Sequence, residues 1–379
     1  MARHSRKLTT KYRTRKTTDF SIYTARSNRL FIVLRYSDAM IRRHLKKIIV
    51  SFLIIAIGAG SFTAYMLYTK ADAALASVTK DGTQATVTDL LTSEALNGEE
   101  TGRVNLLIAG NSADDAGHGG AELTDSIMIA SYEISTKKLT LISIPRDLWV
   151  NYDGSYMKIN AVYPLGGMDG LQQTVETVTG LTINHRVLIN YTAFKQMIDA
   201  VGGIDIEIDS SDPRGIYDPM IGFSIGNGTQ HLDGTQALLL ARSRNDPTYD
   251  GRIAYGLPNG DFDRQLYQRK ILQALLTKLT NVTTLINPTT LPDLLESFSG
   301  NVSTNMTAGQ LRRLYDLSRQ VSTTDSITIR GTDDALLLAN YTSYDGQSAL
   351  IPRAGIGVYT DIQQYVASYV TTSSSSSAQ

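Results

Sequence analysis

The longest apolar stretch of the chain runs from residue 48 to residue 69 and contains no charged side chain. As a helix, its 22 residues would extend about 33 Å, which matches the hydrocarbon core of a bilayer. Four basic residues lie within the six positions before it and only Lys70 follows closely. The positive-inside rule therefore predicts a single-pass plasma-membrane anchor with a cytoplasmic N-terminus and an extracytoplasmic remainder. A cleaved signal peptide is disfavoured because 47 residues precede the run, and a buried soluble helix because the run is apolar on every side.

Beyond this segment, strand-like and helix-like patterns alternate. The predicted strands are 104–110, 126–132, 139–144, 187–191, 204–208 and 326–330, with a hairpin joining the second and third. The predicted helices are 167–179, 192–200, 233–242, 261–280, 288–298, 307–321 and 360–369, and long loops are predicted at 210–230 and 245–260. This order predicts an α/β (α+β) fold in which a central mixed β-sheet is flanked by helices and preceded by a single transmembrane helix.

The same patterns divide the chain into segments. Residues 1–47 form a basic cytoplasmic tail, and residues 70–102, which are polar and rich in small side chains, form a linker or stalk. The main domain is predicted over 103–284. Residues 285–370 either extend that domain or form a small subdomain, and residues 371–379 form a disordered serine-rich tail.

Charge is divided unevenly along the chain, although the formal net charge is zero. The basic tail holds fourteen Lys and Arg against two acidic residues, which leaves 22 basic and 34 acidic residues for the rest. Such a tail binds nucleic acid or anionic lipid, or only orients the anchor; we expect membrane lipid and no nucleic acid as a partner. The absence of cysteine excludes disulfides and thiolate metal sites, and the five histidines lack zinc-ligand spacing.

Four arginines stand at the ends of apolar segments. Arg146 closes a strand-like run, Arg242 and Arg244 end a helix-like run, and Arg264 lies in the first turn of the next predicted helix. Guanidinium groups are rarely buried without a partner, and several together repel one another unless a multivalent anion lies between them. Phosphate or pyrophosphate fits, because the planar guanidinium binds its oxygens two at a time. Taken singly, each arginine is explained equally well by an ion pair or by the dipole at a helix end.

The helix that begins near Asp261 gives the sharpest of these signals. Arg264 and Gln268 share one face of it, and the same face continues as an apolar stripe. A cation in the first turn opposes the helix dipole by about 0.3–1 kcal/mol, and a bound anion would remove that penalty. The alternative is an exposed first turn, or an ion pair of Arg264 with Asp261 or Asp263.

Three carboxylates are candidate ligands of a hard cation. Asp125 begins a predicted strand, and Asp114 and Asp115 lie in the Gly- and Asp-rich loop before it. Mg²⁺ (or Mn²⁺) needs few protein ligands where phosphate oxygens supply the rest. The alternatives are a turn-capping role for Asp125 and a solvated loop for the other two. The chain contains no nucleophile elbow, no Walker loop and no glycine fingerprint of a dinucleotide site.

Eight short segments carry these candidates. In chain order they are NLLIAG (105–110), LTDSIM (123–128), LISIPRD (141–147), KIN (158–160), VGGID (201–205), QHLDGTQA (230–237), ARSR (241–244) and DFDR (261–264), the last followed by Gln268. In order and approximate spacing they resemble the LytR-CpsA-Psr family of bacterial cell-envelope proteins. The basic tail and single membrane helix are also similar to those of the family.

The resemblance implies an extracytoplasmic, Mg²⁺-dependent phosphotransferase. Members of the family transfer a glycopolymer from an undecaprenyl-pyrophosphate carrier to a cell-wall acceptor, usually a peptidoglycan sugar hydroxyl, and leave a phosphodiester bond. The residues that match the family's pyrophosphate-binding, catalytic and metal-binding positions are Arg146, Arg242, Arg244, Arg264, Gln268, Lys158 and, for the metal, Asp125. We also expect the carrier lipid to lie in an apolar groove beside the helix that contains residues 238–240.

Two positions depart from the family pattern. The family often has an aspartate where this chain has Ser112, so that either Asp114 or Asp115 replaces it or the metal is held more weakly. A further arginine of the family's helix is replaced by Tyr267, which predicts a lower affinity or a different geometry for the head group. Two alternative functions remain open: a pyrophosphatase that uses water as the acceptor, and a non-catalytic membrane-tethered binder of polyprenyl phosphates or wall polymers, or a regulator.

Overall fold

The structure of the chain, a computed structural model, describes residues 72–73, 75–79, 86–115, 122–245, 251–280 and 300–370. The predicted basic tail, membrane helix, helix 288–298 and serine-rich tail lie outside these ranges. Within the described ranges, no helix has the length and apolarity that crossing a membrane requires.

Strands and helices alternate along the described residues, numbered in chain order. The strands are β1 (Arg103–Gly110), β2 (Ser126–Glu133), β3 (Lys138–Ser143), β4 (Trp149–Tyr152), β5 (Ser155–Lys158), β6 (His185–Ile189), β7 (Ile204–Ile208), β8 (Ile216–Asp218), β9 (Phe223–Ile225), β10 (Gly228–Leu232), β11 (Val302–Thr304), β12 (Thr323–Thr328), β13 (Gly331–Thr332), β14 (Ala335–Leu336), β15 (Leu338–Thr342) and β16 (Ser348–Pro352). The helices are α1 (Val162–Thr179), α2 (Tyr191–Ala200), α3 (Gly234–Arg242), α4 (Asp261–Thr280), α5 (Ala308–Ser318) and α6 (Thr360–Val370).

A mixed sheet of six strands, in the order β11-β6-β1-β2-β3-β12, forms the centre of the described residues. β1, β2 and β3 are antiparallel neighbours, β6 is parallel to β1, and β12 is parallel to β3. The predicted central mixed sheet and its β2–β3 hairpin are therefore confirmed. Both edge strands come from residues beyond 300, so the C-terminal part of the chain contributes directly to this sheet.

The two faces of the sheet follow the period-two alternation of its strands. In β1, Leu107 and Ala109 belong to an apolar cluster that includes residues of α1 and α6. Val104 and Leu106 belong to a cluster on the opposite face that includes α5. Each fully buried aliphatic side chain of this kind contributes roughly 1.5–3 kcal/mol, so a one-residue slip of β1 would be strongly unfavourable.

A second core lies beside the sheet and is built by β7, β8, α2, α3 and α4. α3 is started by a capping box, in which Asp233 accepts from the backbone of Gln236 and Gln236 accepts from the backbone of Asp233. α4 joins the two cores: Ile271 and Leu275 are buried in the second core, whereas Leu272 packs against the cluster on the sheet. The helix thus stands between two apolar clusters, and this placement creates the cavity described below.

The segment 210–230, predicted to be a loop, contains three short strands. β8 and β9 pair as an antiparallel hairpin, and β10 pairs antiparallel with β7. The prediction was wrong because these strands are only three to five residues long and are set among Gly, Asp and Pro residues, so that their local preference is weak. Their partners, not their own sequences, decide that they are extended.

The hairpin of β4 and β5 is absent from the predicted elements. Asp153 and Gly154 at its tip have φ values of 49° and 79°, and positive φ at both central residues is what a type I′ turn requires. Asp-Gly was therefore a usable signal for this hairpin. α1 also begins at Val162 rather than at 167, and Gly167, with φ 59° and ψ −162°, interrupts its helical backbone.

Candidate functional site

A cavity of about 390 Å³ lies where the carboxyl end of β1, the start of β2, α2, α3 and α4 meet. Its polar lining includes most of the residues that the sequence singles out: Asp125, Arg146, Arg242, Arg244, Arg264 and Gln268. Lys158, Asp114 and Asp115 are not part of this lining. The fold therefore brings together four arginines that come from three separate segments of the chain.

Arg146 stands just past β3 and is surrounded by carboxylates. Its Nη1 donates a hydrogen bond of 2.7 Å to Oδ1 of Asp125, and its Nε lies 3.6 Å from Asp261 and 3.7 Å from Asp147. Burial lowers the pKa of Arg146, but the three carboxylates outweigh it and raise that pKa above its ordinary value. The Nε group is nevertheless buried without a hydrogen-bond acceptor among the described residues.

Arg264 is the most deeply buried of the four arginines, at 4% exposed. Its Nη2 donates to the backbone oxygen of Asp125 at 3.1 Å and lies 2.6 Å from Oδ1 of Asp261. Its Nε has no acceptor among the described residues. Burial lowers the pKa of Arg264; Asp261 partly offsets this, and repulsion from Arg146 and Arg244 adds to it. A buried donor without a partner costs about 1–3 kcal/mol, which an anion reaching this group would recover.

Arg242 and Arg244 are placed by the C-terminus of α3. The Arg242 guanidinium lies 5.0 Å from the ring centroid of Tyr191, and its Nη1 lies 4.0 Å from Oδ2 of Asp115. The backbone N–H of Arg244 donates at 2.8 Å to Oδ2 of Asp218. Asp218 is only 2% exposed and also lines the cavity, so it fastens the β8–β9 hairpin to the segment that carries both arginines.

Gln268 connects the elements that surround the cavity. Its Nε2 donates to the backbone oxygen of Ala241 at 3.0 Å, and its Oε1 accepts from Oγ of Ser126 at 3.2 Å. The amide therefore ties α4 to the end of α3 and to the start of β2. One N–H of the amide remains available to a ligand. Because the other N–H and the oxygen bond to neighbouring segments, the main role of Gln268 is to hold those segments in place.

Lys158 is connected to Arg146 through the carboxylate of Asp147. It ends β5, and its Nζ donates at 2.7 Å to Oδ1 of Asp147, whose other oxygen faces Arg146. Lys158 thus adds positive charge behind the arginines rather than a direct contact in the cavity.

The three candidate metal-binding carboxylates already contact other groups of the protein. Asp125 is engaged by Arg146, and the two oxygens of Asp114 accept the N–H groups of Tyr191 and Thr192 at 3.2 and 2.7 Å. Burial raises the pKa of Asp114, but these hydrogen bonds outweigh it and lower that pKa. Within the described residues, no three His, Asp or Glu side chains are grouped as a metal site requires. Magnesium on Asp125 would therefore compete with Arg146 and would need phosphate oxygens for most of its ligands, and Asp114 is already occupied at the start of α2.

The rest of the cavity is apolar. Its lining there includes Ile108, Met128, Ile189, Phe194, Met197, Ile221, Leu238, Ile271, Leu272 and Leu275. Leu238 belongs to the helix beside which an apolar groove is predicted. The stripe that follows Arg264 on α4 forms a wall of the cavity as well as part of the core. Tyr267 does not line the cavity; it is buried in the second core, where its hydroxyl accepts the N–H of Asp209 at 3.3 Å.

Sequence reasoning missed several residues of the site. Tyr191 and Asp218 line its polar end, and Phe194 and Met197 line its apolar end. Tyr191 comes two residues after β6, which lies parallel to β1, and ligands commonly bind beyond the carboxyl ends of such strands. By that rule, Tyr191 could have been predicted as a ligand-binding residue. Asp218 could not have been predicted in this way, because its strand was itself predicted to be a loop.

The arrangement defines a class of protein: an α/β protein with one pocket among the described residues that is lined by arginines at one end and by apolar side chains at the other. Within that class, the model of the LytR_cpsA_psr family matches residues 63–352, and the chain belongs to this family.

Known relatives are similar to the chain over much of its length. It is 31% identical over 266 residues to the polyisoprenyl-teichoic acid–peptidoglycan teichoic acid transferase TagU of Bacillus mycoides, covering 68% of this chain and 77% of that one. It is 35% identical over 240 residues to the probable cell wall biosynthesis protein LcpB of Corynebacterium glutamicum (62% and 52%), and 31% identical over 208 residues to the regulatory protein MsrR of Staphylococcus aureus (54% and 57%). The chain thus spans little more than half of the last two relatives.

Solved structures share the fold. TagT bound to LI-WTA superposes with a TM-score of 0.55 at 19% identity, covering 77% of this chain and 99% of TagT. Protein gbs0355 of Streptococcus agalactiae gives a TM-score of 0.57 at 22% identity, covering 74% and 91%. At these identities the likeness concerns the fold.

Proposed function

We propose that this protein transfers a glycopolymer from a polyprenyl-pyrophosphate carrier to a cell-wall acceptor, and that it does so outside the plasma membrane, to which its N-terminal segment anchors it. The acceptor is a peptidoglycan sugar hydroxyl or another hydroxyl of the wall. One observation carries the proposal: four arginines converge at one end of a cavity whose other end is apolar. A polyprenyl pyrophosphate has the same division of chemistry along its length.

The charge of the cavity favours such a head group. Among the described lining residues, four guanidinium groups face two carboxylates, Asp125 and Asp218. The buried Nε–H groups of Arg146 and Arg264 are donors that have no hydrogen-bond acceptor among the described residues. Charge-assisted hydrogen bonds from arginine to phosphate contribute about 1.5–3 kcal/mol each, so a pyrophosphate is a far better ligand here than a single carboxylate.

The proposed reaction is an in-line phosphoryl transfer. The oxygen of the acceptor hydroxyl forms a bond to the sugar-linked phosphorus, and the bond from that phosphorus to the bridging oxygen breaks. The lipid phosphate leaves with the electron pair, and the hydroxyl proton passes to water as the new bond forms. The four arginines hold the pyrophosphate in position and neutralise charge on its oxygens, which is the main requirement of this chemistry. A magnesium ion, if bound, would be held largely by phosphate oxygens, and no step of the proposed reaction depends on it.

The test is a product analysis with defined substrates. Full-length protein would be incubated with a polyprenyl-pyrophosphate-linked oligosaccharide, with and without peptidoglycan fragments, and the products identified by mass spectrometry. We expect an oligosaccharide phosphodiester on the fragment, and loss of at least about 100-fold in turnover for Arg146→Ala and Arg264→Ala. Arg214→Ala is the matched control, because Arg214 is an ion-paired arginine outside the cavity.

The other outcomes separate the alternatives. Lipid monophosphate without any transfer product would indicate a pyrophosphatase. Binding of the carrier without turnover would favour a regulatory or binding protein, a function that the name of the relative MsrR suggests. Full activity of both cavity variants would refute the proposed site.

A further inference from the structure

The hairpin of β4 and β5 turns one face to the apolar core and the other to the surface. Val150 lies in the cluster that includes residues of α1 and α6, and its cross-strand partner Met157 packs against the same cluster. Side chains alternate between the two faces of a strand, and directly paired residues share a face. The two neighbouring pairs therefore face outward: Trp149 with Lys158, and Asn151 with Tyr156.

The hairpin of β15 and β16 extends this outward face. Leu148, just before β4, forms a parallel bridge with Leu350 of β16, and both side chains pack in or against the core cluster. The next residues along each strand, Trp149 and Ala349, therefore face the other way. Tyr341 pairs with Ala349 in the β15–β16 register and shares its face. Four strands from two distant parts of the chain thus build one outward surface.

Aromatic side chains dominate this surface. Trp149 is the only tryptophan of the chain and is 3% exposed, yet it belongs to none of the three apolar clusters of the described residues. It packs instead against Tyr341, with ring centroids 6.0 Å apart and ring planes inclined at 52°. Tyr341 is partly exposed, and Tyr156 is 47% exposed. We call the surface formed by Trp149, Asn151, Tyr156 and Tyr341 the aromatic face.

The aromatic face leads to the arginine end of the cavity. Lys158 shares the face, and its Nζ donates at 2.7 Å to Asp147, whose other carboxylate oxygen lies 3.7 Å from Nε of Arg146. Tyr156 precedes Lys158 by two residues, which corresponds to about 7 Å along a strand. The four side chains of the face are themselves uncharged. A ligand on this face would therefore be uncharged where it contacts the rings, and one end of it would point toward Arg146.

We propose that the aromatic face binds the sugar strand of the peptidoglycan acceptor and directs one of its hydroxyls to the arginine end of the cavity. The inference rests on the proposed function, because it names where the acceptor of that reaction lies. The C–H face of a pyranose ring is apolar and packs against an aromatic ring, whereas its hydroxyl and amide groups bond to polar side chains such as Asn151. Tyr156 and Tyr341 contact the sugars. Trp149 is a positioning residue that holds the ring of Tyr341.

The first experiment uses Trp149 as a built-in reporter, since the fluorescence of the only tryptophan arises from this face. An uncharged tetramer of N-acetylglucosamine would be titrated into the full-length protein in detergent. We expect a saturable change in fluorescence, and at least about tenfold weaker binding for Tyr156→Ala and for Tyr341→Ala. Tyr341→Phe keeps the ring and should stay within about threefold of the parent. Tyr315→Ala is the matched control, because Tyr315 is a partly buried tyrosine of α5, outside the face.

The second experiment tests the positioning role of Trp149 by calorimetry. Trp149→Leu should weaken binding of the tetramer about as much as Tyr341→Ala does, and it should leave the affinity for geranylgeranyl pyrophosphate within about twofold of the parent. A merely structural tryptophan would lower the melting temperature and weaken both ligands together.

The third experiment measures transfer with peptidoglycan fragments as the acceptor. Tyr156→Ala should raise the KM for the fragments about tenfold and leave kcat nearly unchanged, because the residue binds the acceptor away from the reacting atoms. Tyr156 is exposed, so this variant should fold like the parent.

Three results would overturn the inference: a parent that does not bind the tetramer, unchanged affinity in both tyrosine-to-alanine variants, or displacement of the tetramer by a glycerol phosphate polymer, which would assign the face to an anionic donor polymer. The proposed function fails on a different observation, the absence of any transfer product from the polyprenyl-pyrophosphate substrate. Because the titrations with the tetramer contain no such substrate, the two failures are distinguished.

Discussion

Replacing Arg264 with methionine should separate its cost to the free protein from its value to the complex. Methionine keeps a long apolar stem in the same buried position and removes the charge. The change eliminates an unpaired Nε and the repulsion from Arg146 and Arg244, and it also removes the Nη2 contacts with Asp125 and Asp261. Asp261 retains the side chain of Gln265 at 2.8 Å. We therefore expect the free energy of unfolding without ligand to change by no more than about 1 kcal/mol in either direction.

The effect on the liganded protein should be much larger. Loss of two charge-assisted hydrogen bonds of about 1.5–3 kcal/mol each corresponds to an affinity roughly 10²–10⁴-fold weaker. A ligand present at 100 times the dissociation constant stabilises the parent by about 2.7 kcal/mol, which raises the melting temperature by roughly 5–10 °C. At the same concentration the variant should gain less than about 0.5 kcal/mol and melt almost as it does without ligand.

The assay is thermal unfolding with and without geranylgeranyl pyrophosphate, with Arg214→Met as the control. Arg214 is paired with Asp212 and does not line the cavity, so its variant should keep the full shift on adding ligand. An undiminished shift in the Arg264 variant would refute the reasoning, because it would mean that the arginine is buried for structural reasons alone. A variant that fails to fold without ligand would also contradict it.

Three further predictions concern other parts of the molecule. Burial holds the pKa of His185 below its ordinary value of 6.5. The free energy of unfolding should therefore be highest above about pH 6.5 and fall as the pH drops toward the pKa of the folded state. Urea titrations should show this pH dependence in the parent and in His231→Gln but not in His185→Gln. Asp114→Ala should lower stability by about 0.5–2 kcal/mol, because Tyr191 and Thr192 in the first turn of α2 lose their acceptor, and calorimetry should find Mg²⁺ binding unchanged; a change in metal affinity would argue for a ligand role. Met197→Trp should fill the apolar end of the cavity and weaken long-chain polyprenyl pyrophosphates about tenfold while sparing geranyl pyrophosphate, and equal losses for both would contradict the assignment of that end to the lipid chain.

The candidate site was only partly predictable from the sequence. Arg264 and Gln268 could be paired on one face because helical spacing is local, and α4 begins at Asp261 as predicted. Helical spacing did not predict that the amide of Gln268 is hydrogen bonded to Ala241 and Ser126, because both partners belong to other secondary-structure elements. Asp114 and Asp115 are predicted metal ligands because carboxylates can bind a hard cation, whereas the hydrogen bonds of Asp114 to α2 depend on packing between distant segments.

The sequence by itself determined the longer strands and most of the helices, since the period of apolar positions and the capping residues are properties of neighbouring positions. It also determined which arginines stand at the ends of those elements. Only the tertiary structure decided that the four arginines meet, because their convergence depends on the pairing of β1 with β2 and β6 and on the packing of α4 between two cores. It likewise decided that Asp114 accepts the first N–H groups of α2. Contacts between residues some 80 positions apart are set by sheet register and packing, and no local sequence pattern predicts them.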